Sequence, residues 1–520
     1  MARYKHYDYG QTKLLPVSFE QQILPGTLEY TLNELIDNEI DLTVFEERYR
    51  NDEGGAPAYD PAILLKVILY AYLRGITQSR EIARLCQENV VFIALSADAK
   101  PHFTTIAAFI SSLEREIVSV FRDVLLICDE AGLIGREMFA IDGVKLPSNA
   151  SKEWSGTRAD FEKKVAKMEG AVGRLIKRHR AADAAEEDPA QRAARAKQIK
   201  TLEASVAKVK AFLKDRPDKR GASGNVVKSN ITDEDSAKIK TGKGVIQGYA
   251  GVAVVDFRHQ VIVGAQAFGA AQEHALLVPT LEHARENLSR LGSHDTLKGA
   301  ALLADSGFHC ETNLKYLSTR GIDGYVADTR FRSRDPRFAT AARHRPTRAD
   351  EPWARPKPRG LFTRKDFELD PEHRFCICPA GKRLYRNGAN VRGRGNIGVK
   401  FRGTKRDCSD CTMRGRCLRN PESSDGRQVV FFLKHTATPI NHTARMRQKI
   451  DSERGRYLYS RRLGIVEPVF ANISSNHGLR RFSLRGRRKV NAQWQLFCLV
   501  HNIGKIQRYR QRRPRKHTAH

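Results

Sequence analysis

Glu137-Met-Phe-Ala-Ile-Asp142-Gly143-Val-Lys145 is the stretch whose reading decides the fold. Phe139, Ala140 and Ile141 form a short apolar run with the character of a buried strand, which Asp142 is expected to end. A carboxylate at the end of a core strand is costly unless something pairs with it, and a metal ion is one such partner. Gly143 permits a turn or the close approach of a ligand. The pattern returns at Leu302-Leu-Ala304-Asp305-Ser-Gly307, where another apolar run closes on an aspartate. Either aspartate alone reads as a turn residue capping its strand. The pair points to neighbouring strands of one sheet.

Around these two runs the chain alternates between strands and helices. Gly244–Val255 and Gln260–Ala267 read as a β-hairpin, His274 to Leu288 and Thr312 to Thr319 as helices, and Gly324–Asp328 as a strand. This order makes a mixed sheet flanked by helices. Between the first aspartate and the hairpin, Phe161, Val165, Met168, Val172 and Leu175 repeat at helical spacing, as do Ile199, Leu202, Val206, Val209 and Leu213. These predict an antiparallel helical hairpin with a basic outer face, followed by a polar, glycine-rich loop at 215–230.

Upstream, Leu28, Leu32, Leu35 and Ile36 lie at helical spacing, and Asp60-Pro61 reads as an N-cap with proline at the first helical position. That helix runs to Gly75; a second starts at Thr77, and a third begins near Thr104 and continues through Phe109, Leu113 and Ile117. Short helices joined by tight turns fit a helix-turn-helix unit, although any small helical bundle reads similarly.

Downstream, residues 329–430 are rich in arginine and proline with little apolar periodicity, and hold Cys376, Cys378, Cys408, Cys411 and Cys417. Cys408 and Cys411 form a CxxC; with Cys378 and Cys417 they provide four thiolates for a structural Zn²⁺, against the plainer reading of free loop cysteines. Cys378 is favoured over Cys376 because Pro-Ala-Gly follows it in a tight knuckle. A helix then carries Arg462, Val466, Glu467, Phe470 and Ile473 and ends at Asn476-His-Gly478. An intensely basic run at 479–489 precedes a last helix from Val490 to Ile506, and the basic end from Arg508 to His520 is expected to lack order.

The 520 residues include 90 Lys+Arg against 59 Asp+Glu, a formal net charge of +31. Such an imbalance points to a polyanionic partner, most often nucleic acid, with anionic lipid or a basic chain without specific partner as the alternatives. No apolar run reaches the roughly 18 residues of a spanning helix, and the start lacks the apolar centre of a signal peptide. Nine unevenly spread cysteines do not suggest a disulfide scaffold, so a reducing cytoplasm is expected.

These landmarks resemble the DDE transposases of bacterial insertion sequences, in a subgroup similar to IS-four and IS-five type elements. The resemblance covers nearly the whole chain. It rests on Ala140-Ile-Asp142-Gly-Val-Lys145, Lys228-Ser-Asn-Ile-Thr-Asp-Glu-Asp-Ser236, Gly244-Val-Ile-Gln-Gly-Tyr249, Leu303-Ala-Asp305-Ser-Gly-Phe308, Val466-Glu467-Pro-Val-Phe470 and the cysteine block. It implies an α/β class with an RNase H-like mixed sheet flanked by helices, at 137–150 and 240–330, and C-terminal core helices at 431–506. A lead-in (1–58), an all-α helix-turn-helix-like DNA-binding domain (59–130), a helical-hairpin insertion (151–239), a Cys/Arg-rich insertion (331–430) and a basic tail (507–520) would complete the chain.

The same resemblance implies a catalytic triad of Asp142, Asp305 and Glu467 that binds Mg²⁺ or Mn²⁺. Tyr459, Arg462, Arg480, Arg481 and Arg485 would contact DNA. The partners implied are double-stranded DNA, both transposon terminal inverted repeats and target, and a second copy of the chain in a homodimer on DNA, at the bacterial nucleoid. Tyr459, Arg462 and Glu467 represent a Tyr/Arg/Glu/Lys signature whose lysine is Ser474 here; the interval from Arg462 to Glu467 is also one residue longer than the general signature. Three carboxylates suit this chemistry, because cutting and joining DNA are in-line displacements at phosphorus that two metal ions can stabilise. The alternatives are a DNA-binding protein with a decayed nuclease core and a metal-dependent nuclease without strand transfer.

Overall fold

A computed structural model describes residues 18–49, 54, 57–183, 188–221, 224–242, 244–292, 295–338, 360–393, 396–435 and 441–510. The chain divides into two compact units, Met1–Thr329 with Met446–His520, and Arg330–Arg445.

After one helical turn at Phe19–Gln22, the first unit contains helices α1 (Leu28–Asn38), α2 (Pro61–Leu73), α3 (Ser79–Glu88), α4 (Val90–Leu95), α5 (Phe103–Ser111) and α6 (Glu116–Glu130). Asp60 caps α2 by accepting the Ala62 N–H at 2.7 Å, with Pro61 behind it. Every residue of α2 from Leu64 to Tyr72 is buried, so the helix is enclosed on all sides and its one charge, Lys66, pairs with Asp37 at 2.6 Å. The single helix expected from Thr104 to Ile117 is in fact α5 and α6, broken at 112–115. Ser112 turns its hydroxyl back to the Ala108 carbonyl at 2.7 Å, an alternative to continuing the helix.

The sheet follows: β1 (Met138–Pro147), then helices α7 (Arg158–Asp183) and α8 (Pro189–Asp215), then β2 (Ala237–Thr241), β3 (Gly244–Asp256) and β4 (Ile262–Phe268). Next come α9 (Leu277–Ser289), β5 (Ala301–Ala304), α10 (Glu311–Thr319) and β6 (Asp323–Val326). The order is β2-β3-β1-β5-β6, with β4 also pairing β3. β1 runs antiparallel to β3 and parallel to β5, and β5 parallel to β6. This curled mixed sheet is compatible with an RNase H-like core. Two expectations change. Asp142 does not end β1, because pairing with β3 continues to Pro147↔Gly248; and β2, which the sequence reading left out, lies along β3. The start of α7 meets the end of α8 through Phe161 and Phe212, 5.5 Å apart, so the two long helices are antiparallel.

The second unit contains β7 (Glu368–Leu369), β8 (Phe375–Ile377), β9 (Arg383–Gly393), β10 (Asn396–Gly403) and β11 (Gln428–His435) in one antiparallel sheet ordered β11-β10-β9-β8-β7. Phe367, Cys376, Leu384, Val399, Phe401, Val429 and Phe431 form its core. The arginine-rich stretch therefore does have apolar order, with period two: Val399 and Phe401, then Val429 and Phe431, are buried with a less buried residue between each pair.

α11 (His442–Asp451), α12 (Glu453–Ala471) and α13 (Arg487–Arg510) complete the chain. α13 is the central helix of the first unit. Its Trp494 donates Nε1–H to the Val252 carbonyl at 3.0 Å, and Phe497 meets Tyr72 of α2 at 4.9 Å. It continues through Arg508 to Arg510, where Arg510 pairs with Glu39, so order extends beyond the expected end at Ile506. The rest of the basic run, 511–520, lies outside the described residues.

Candidate active site

Phe139, Ala140 and Ile141 are fully buried, and so are Leu303 and Ala304 beside them. The parallel register of β1 and β5 ends at Ile141↔Ala304. Asp142 and Asp305 are the next residues on each strand, so the two runs singled out in the sequence lie side by side. Asp142 Oδ1 accepts the Gly143 N–H at 2.8 Å, and Asp305 Oδ1 accepts the Gly307 N–H at 2.9 Å. Burial pushes both carboxyls up from the usual range; the Arg462 guanidinium opposes this at Asp142, while the Asp142 charge and then Glu273 push Asp305 further.

α12 supplies Arg462, whose Nη1 donates to Asp142 Oδ2 at 2.6 Å. The Tyr459 ring lies 5.9 Å from the guanidinium, and the buried Arg462 Nε–H has no hydrogen-bond partner among the described residues. Glu467 is exposed on the same helix, whose buried residues include Ile465, Val466 and Val469. Five positions beyond Arg462, it is turned about 140° around the helix axis. The structure thus brings together Asp142, Asp305 and Arg462, while Glu467 stands exposed on the helix that carries Arg462.

One residue near the aspartates, Glu273, was not singled out in the sequence. Glu273, between β4 and α9, reaches the pair and is held by Lys145 of β1, Nζ to Oε1 at 2.8 Å. A Cβ on Gly307 would lie 2.0 Å from Glu273 Oε2 and 3.1 Å from Asp305 Oδ1, so a side chain there would have to displace the Glu273 carboxylate. No local spacing links Glu273 to either aspartate; the order of the strands makes them neighbours.

Of the expected DNA-contacting arginines, Arg480, Arg481 and Arg485 are all exposed. Arg481 Nε donates to the Ser148 carbonyl and Arg485 Nε to that of Asn149, both at 3.0 Å, tying the basic segment to the end of β1. The Lys228–Ser236 motif has a bracing role: Asp233 Oδ1 accepts the Tyr249 hydroxyl at 2.7 Å and the Gly486 N–H at 3.2 Å.

In the second unit, Cys378, Cys408, Cys411 and Cys417 line one cavity of about 30 Å³, whereas Cys376 is buried in the apolar core. Burial raises the Cys417 thiol, and proximity to Cys408, Cys378 and Cys411 adds to this against the opposing charge of Arg427. All nine cysteines are free. Among the described residues, no group of three or more His, Cys, Asp or Glu side chains is arranged as a ready metal site.

Among the described residues no helix is long and apolar enough to cross a membrane. No curated protein matches the chain significantly. A family model described as a transposase DDE domain matches residues 377–507, which include Glu467 and the four clustered cysteines. A second, described as a transposase domain (DUF772), matches residues 17–112, most of the N-terminal helical region. Together these two family matches indicate a DDE transposase of an insertion-sequence type.

Proposed function

We propose that the chain cleaves DNA at transposon ends and joins the freed 3′-hydroxyl to target DNA, using an RNase H-like core. The observation that carries this reading is the juxtaposition of Asp142 and Asp305, each the residue after the last parallel pair of β1 and β5, with a guanidinium already bound to one of them. The residues fit a divalent cation: the donors are hard carboxylate oxygens, Arg462 already serves one of them as a counter-cation, and Gly307 lets the Glu273 carboxylate approach Asp305. Asp142 and Asp305 would hold Mg²⁺ or Mn²⁺, with Glu467 the third acid of the triad. When bound, the metal stabilises charge on the attacking and leaving oxygens of the phosphoryl transfer.

The protein's own groups do the positioning. β1 and β5 hold the two carboxylates rigidly, as in-line geometry requires. Arg462, with one buried N–H unpartnered among the described residues, is placed to receive a phosphate oxygen. Tyr459, Arg480, Arg481 and Arg485 add backbone contacts that carry no sequence information. Residues 59–130 act as the helix-turn-helix-like reader of the terminal repeats, and two copies of the chain hold the two ends. In the second unit, Cys378, Cys408, Cys411 and Cys417 would bind a structural Zn²⁺, since thiolates favour zinc and a single ion matches the scale of their common cavity.

A labelled duplex carrying the element's terminal repeat, incubated with the full chain, Mg²⁺ and a target plasmid, tests this reading. Cleavage followed by a joined product is expected. Cleavage without joining would favour a nuclease, and binding without cleavage in Mg²⁺ or Mn²⁺ a decayed DNA-binding protein.

A further inference from the structure

We infer that Glu273, held in place by Lys145, is an additional carboxylate of the metal centre at Asp142 and Asp305. The inference rests on the reading of that pair as a metal-binding site. Glu273 precedes α9 and comes from a part of the chain distant from both aspartates. Its two oxygens have different surroundings. Oε1 meets Lys145 Nζ at 2.8 Å, and Oε2 faces the space left by the missing side chain of Gly307, next to Asp305 Oδ1.

An ion pair with Lys145 alone does not account for that arrangement. The Glu273 and Lys145 side chains are only 20% and 30% exposed, so the carboxylate is withdrawn from solvent toward two other carboxylates. Of the five charged groups here, Asp142, Asp305 and Glu273 carry three negative charges while Arg462 and Lys145 carry two positive ones, a net of −1. Excess negative charge in a partly buried pocket is unfavourable without a further cation. A hard divalent ion on carboxylate oxygens balances it. Lys145 would orient Glu273 by occupying Oε1 and leaving Oε2 as the donor, as a partner outside a metal's ligand shell commonly does. Gly307 provides the clearance: a methyl there would displace Oε2.

Mn²⁺ binding to the full chain without DNA, measured by calorimetry and by loss of the free-ion electron paramagnetic resonance signal, tests this apart from catalysis. Glu273→Gln keeps the shape and removes the charge; Gly307→Ala keeps Glu273 and displaces it. Each is expected to weaken Mn²⁺ binding about ten-fold or more, with the far-ultraviolet circular dichroism of the folded chain unchanged. Gly307→Ala decides the matter if Glu273→Gln fails to fold. Binding within two-fold of wild type in the folded variant, while Asp142→Asn abolishes it, would overturn the role of Glu273 and leave the reading of the aspartates intact. Normal binding in Asp142→Asn and Asp305→Asn would overturn both.

Discussion

The Arg462 guanidinium donates from Nη1 to Asp142 Oδ2 across 2.6 Å, joining residues 320 apart in the chain. It connects α12 to the strand on which the site is built and places a permanent positive charge on a carboxylate that burial would otherwise push toward protonation. A divalent cation at Asp142 would compete with this guanidinium, freeing it for a phosphate.

Arg462→Ala should therefore reduce single-turnover cleavage of an end duplex by about 10²-fold or more, the usual cost of removing one fixed donor from a reacting charge. Arg462→Lys should recover only part of the loss, because an ammonium lacks the planar fork. An unaltered rate in Arg462→Ala would remove Arg462 from the site.

Asp142→Asn, Asp305→Asn and Glu467→Gln are each expected to abolish Mg²⁺-dependent cleavage while leaving DNA affinity, measured by gel shift, within a few-fold. Glu467 is the discriminating member, because it lies exposed on α12. Near-normal cleavage by Glu467→Gln would leave the centre to the aspartates and their other neighbours.

Purified protein should contain about one equivalent of zinc, the expected content of a four-thiolate structural site. A Cys408→Ser/Cys411→Ser double variant should lose it. Because the second unit has its own apolar core, the variant is expected to show a lowered melting temperature rather than complete unfolding. Less than about half an equivalent, unchanged in the double variant, would refute the site.

Trp494→Ala should destabilise the chain by about 3–5 kcal/mol, the range for truncating a fully buried large aromatic. Trp494 is completely buried, its ring packs within 3.0 Å of where a Cβ on Gly251 would lie, and its N–H bonds the Val252 carbonyl. Denaturant titration of the two proteins checks this; a difference under about 1 kcal/mol would mean that the site collapses around the deletion.

Stability should fall on mild acidification. Burial lowers the His501 pKa to about 3, aided by the neighbouring Lys505 charge, and its ring is held neutral between the Gln260 carbonyl at 2.9 Å and the Asn472 amide at 3.0 Å. The unfolded chain takes up this proton near pH 6.5. The contribution is thus complete above about 6.5 and is lost as the pH falls from there toward 3. His501→Gln should unfold more easily at pH 7 but lose less of its remaining stability by pH 5, as followed by urea denaturation at each pH.

The apolar runs of β1 and β5 were legible because a buried strand needs an unbroken apolar stretch, and both runs stop at aspartate. Helical spacing marked α1, α7 and α8 for the same reason: each buries one stripe. Cys378, Cys408, Cys411 and Cys417 were legible from local spacing, and the structure places all four around one cavity. The sheet of the second unit was obscured by arginines on its outward-facing positions, which interrupt the composition without disturbing the inward alternation of Val399, Phe401, Val429 and Phe431.

By itself, the sequence determined two strand-borne aspartates, a strong positive charge and the helix that carries Arg462 and Glu467. Only the tertiary structure decided what these residues meet. Parallel pairing of β1 with β5 brings Asp142 beside Asp305, and the course of the chain after β4 places Glu273 against Gly307. The packing of α12 presents Arg462 to Asp142 and leaves Glu467 exposed. Periodicity reports which side of an element is buried, because burial repeats with the backbone. Which charged groups share a pocket depends on strand order and helix rotation, long-range relationships that no local spacing encodes.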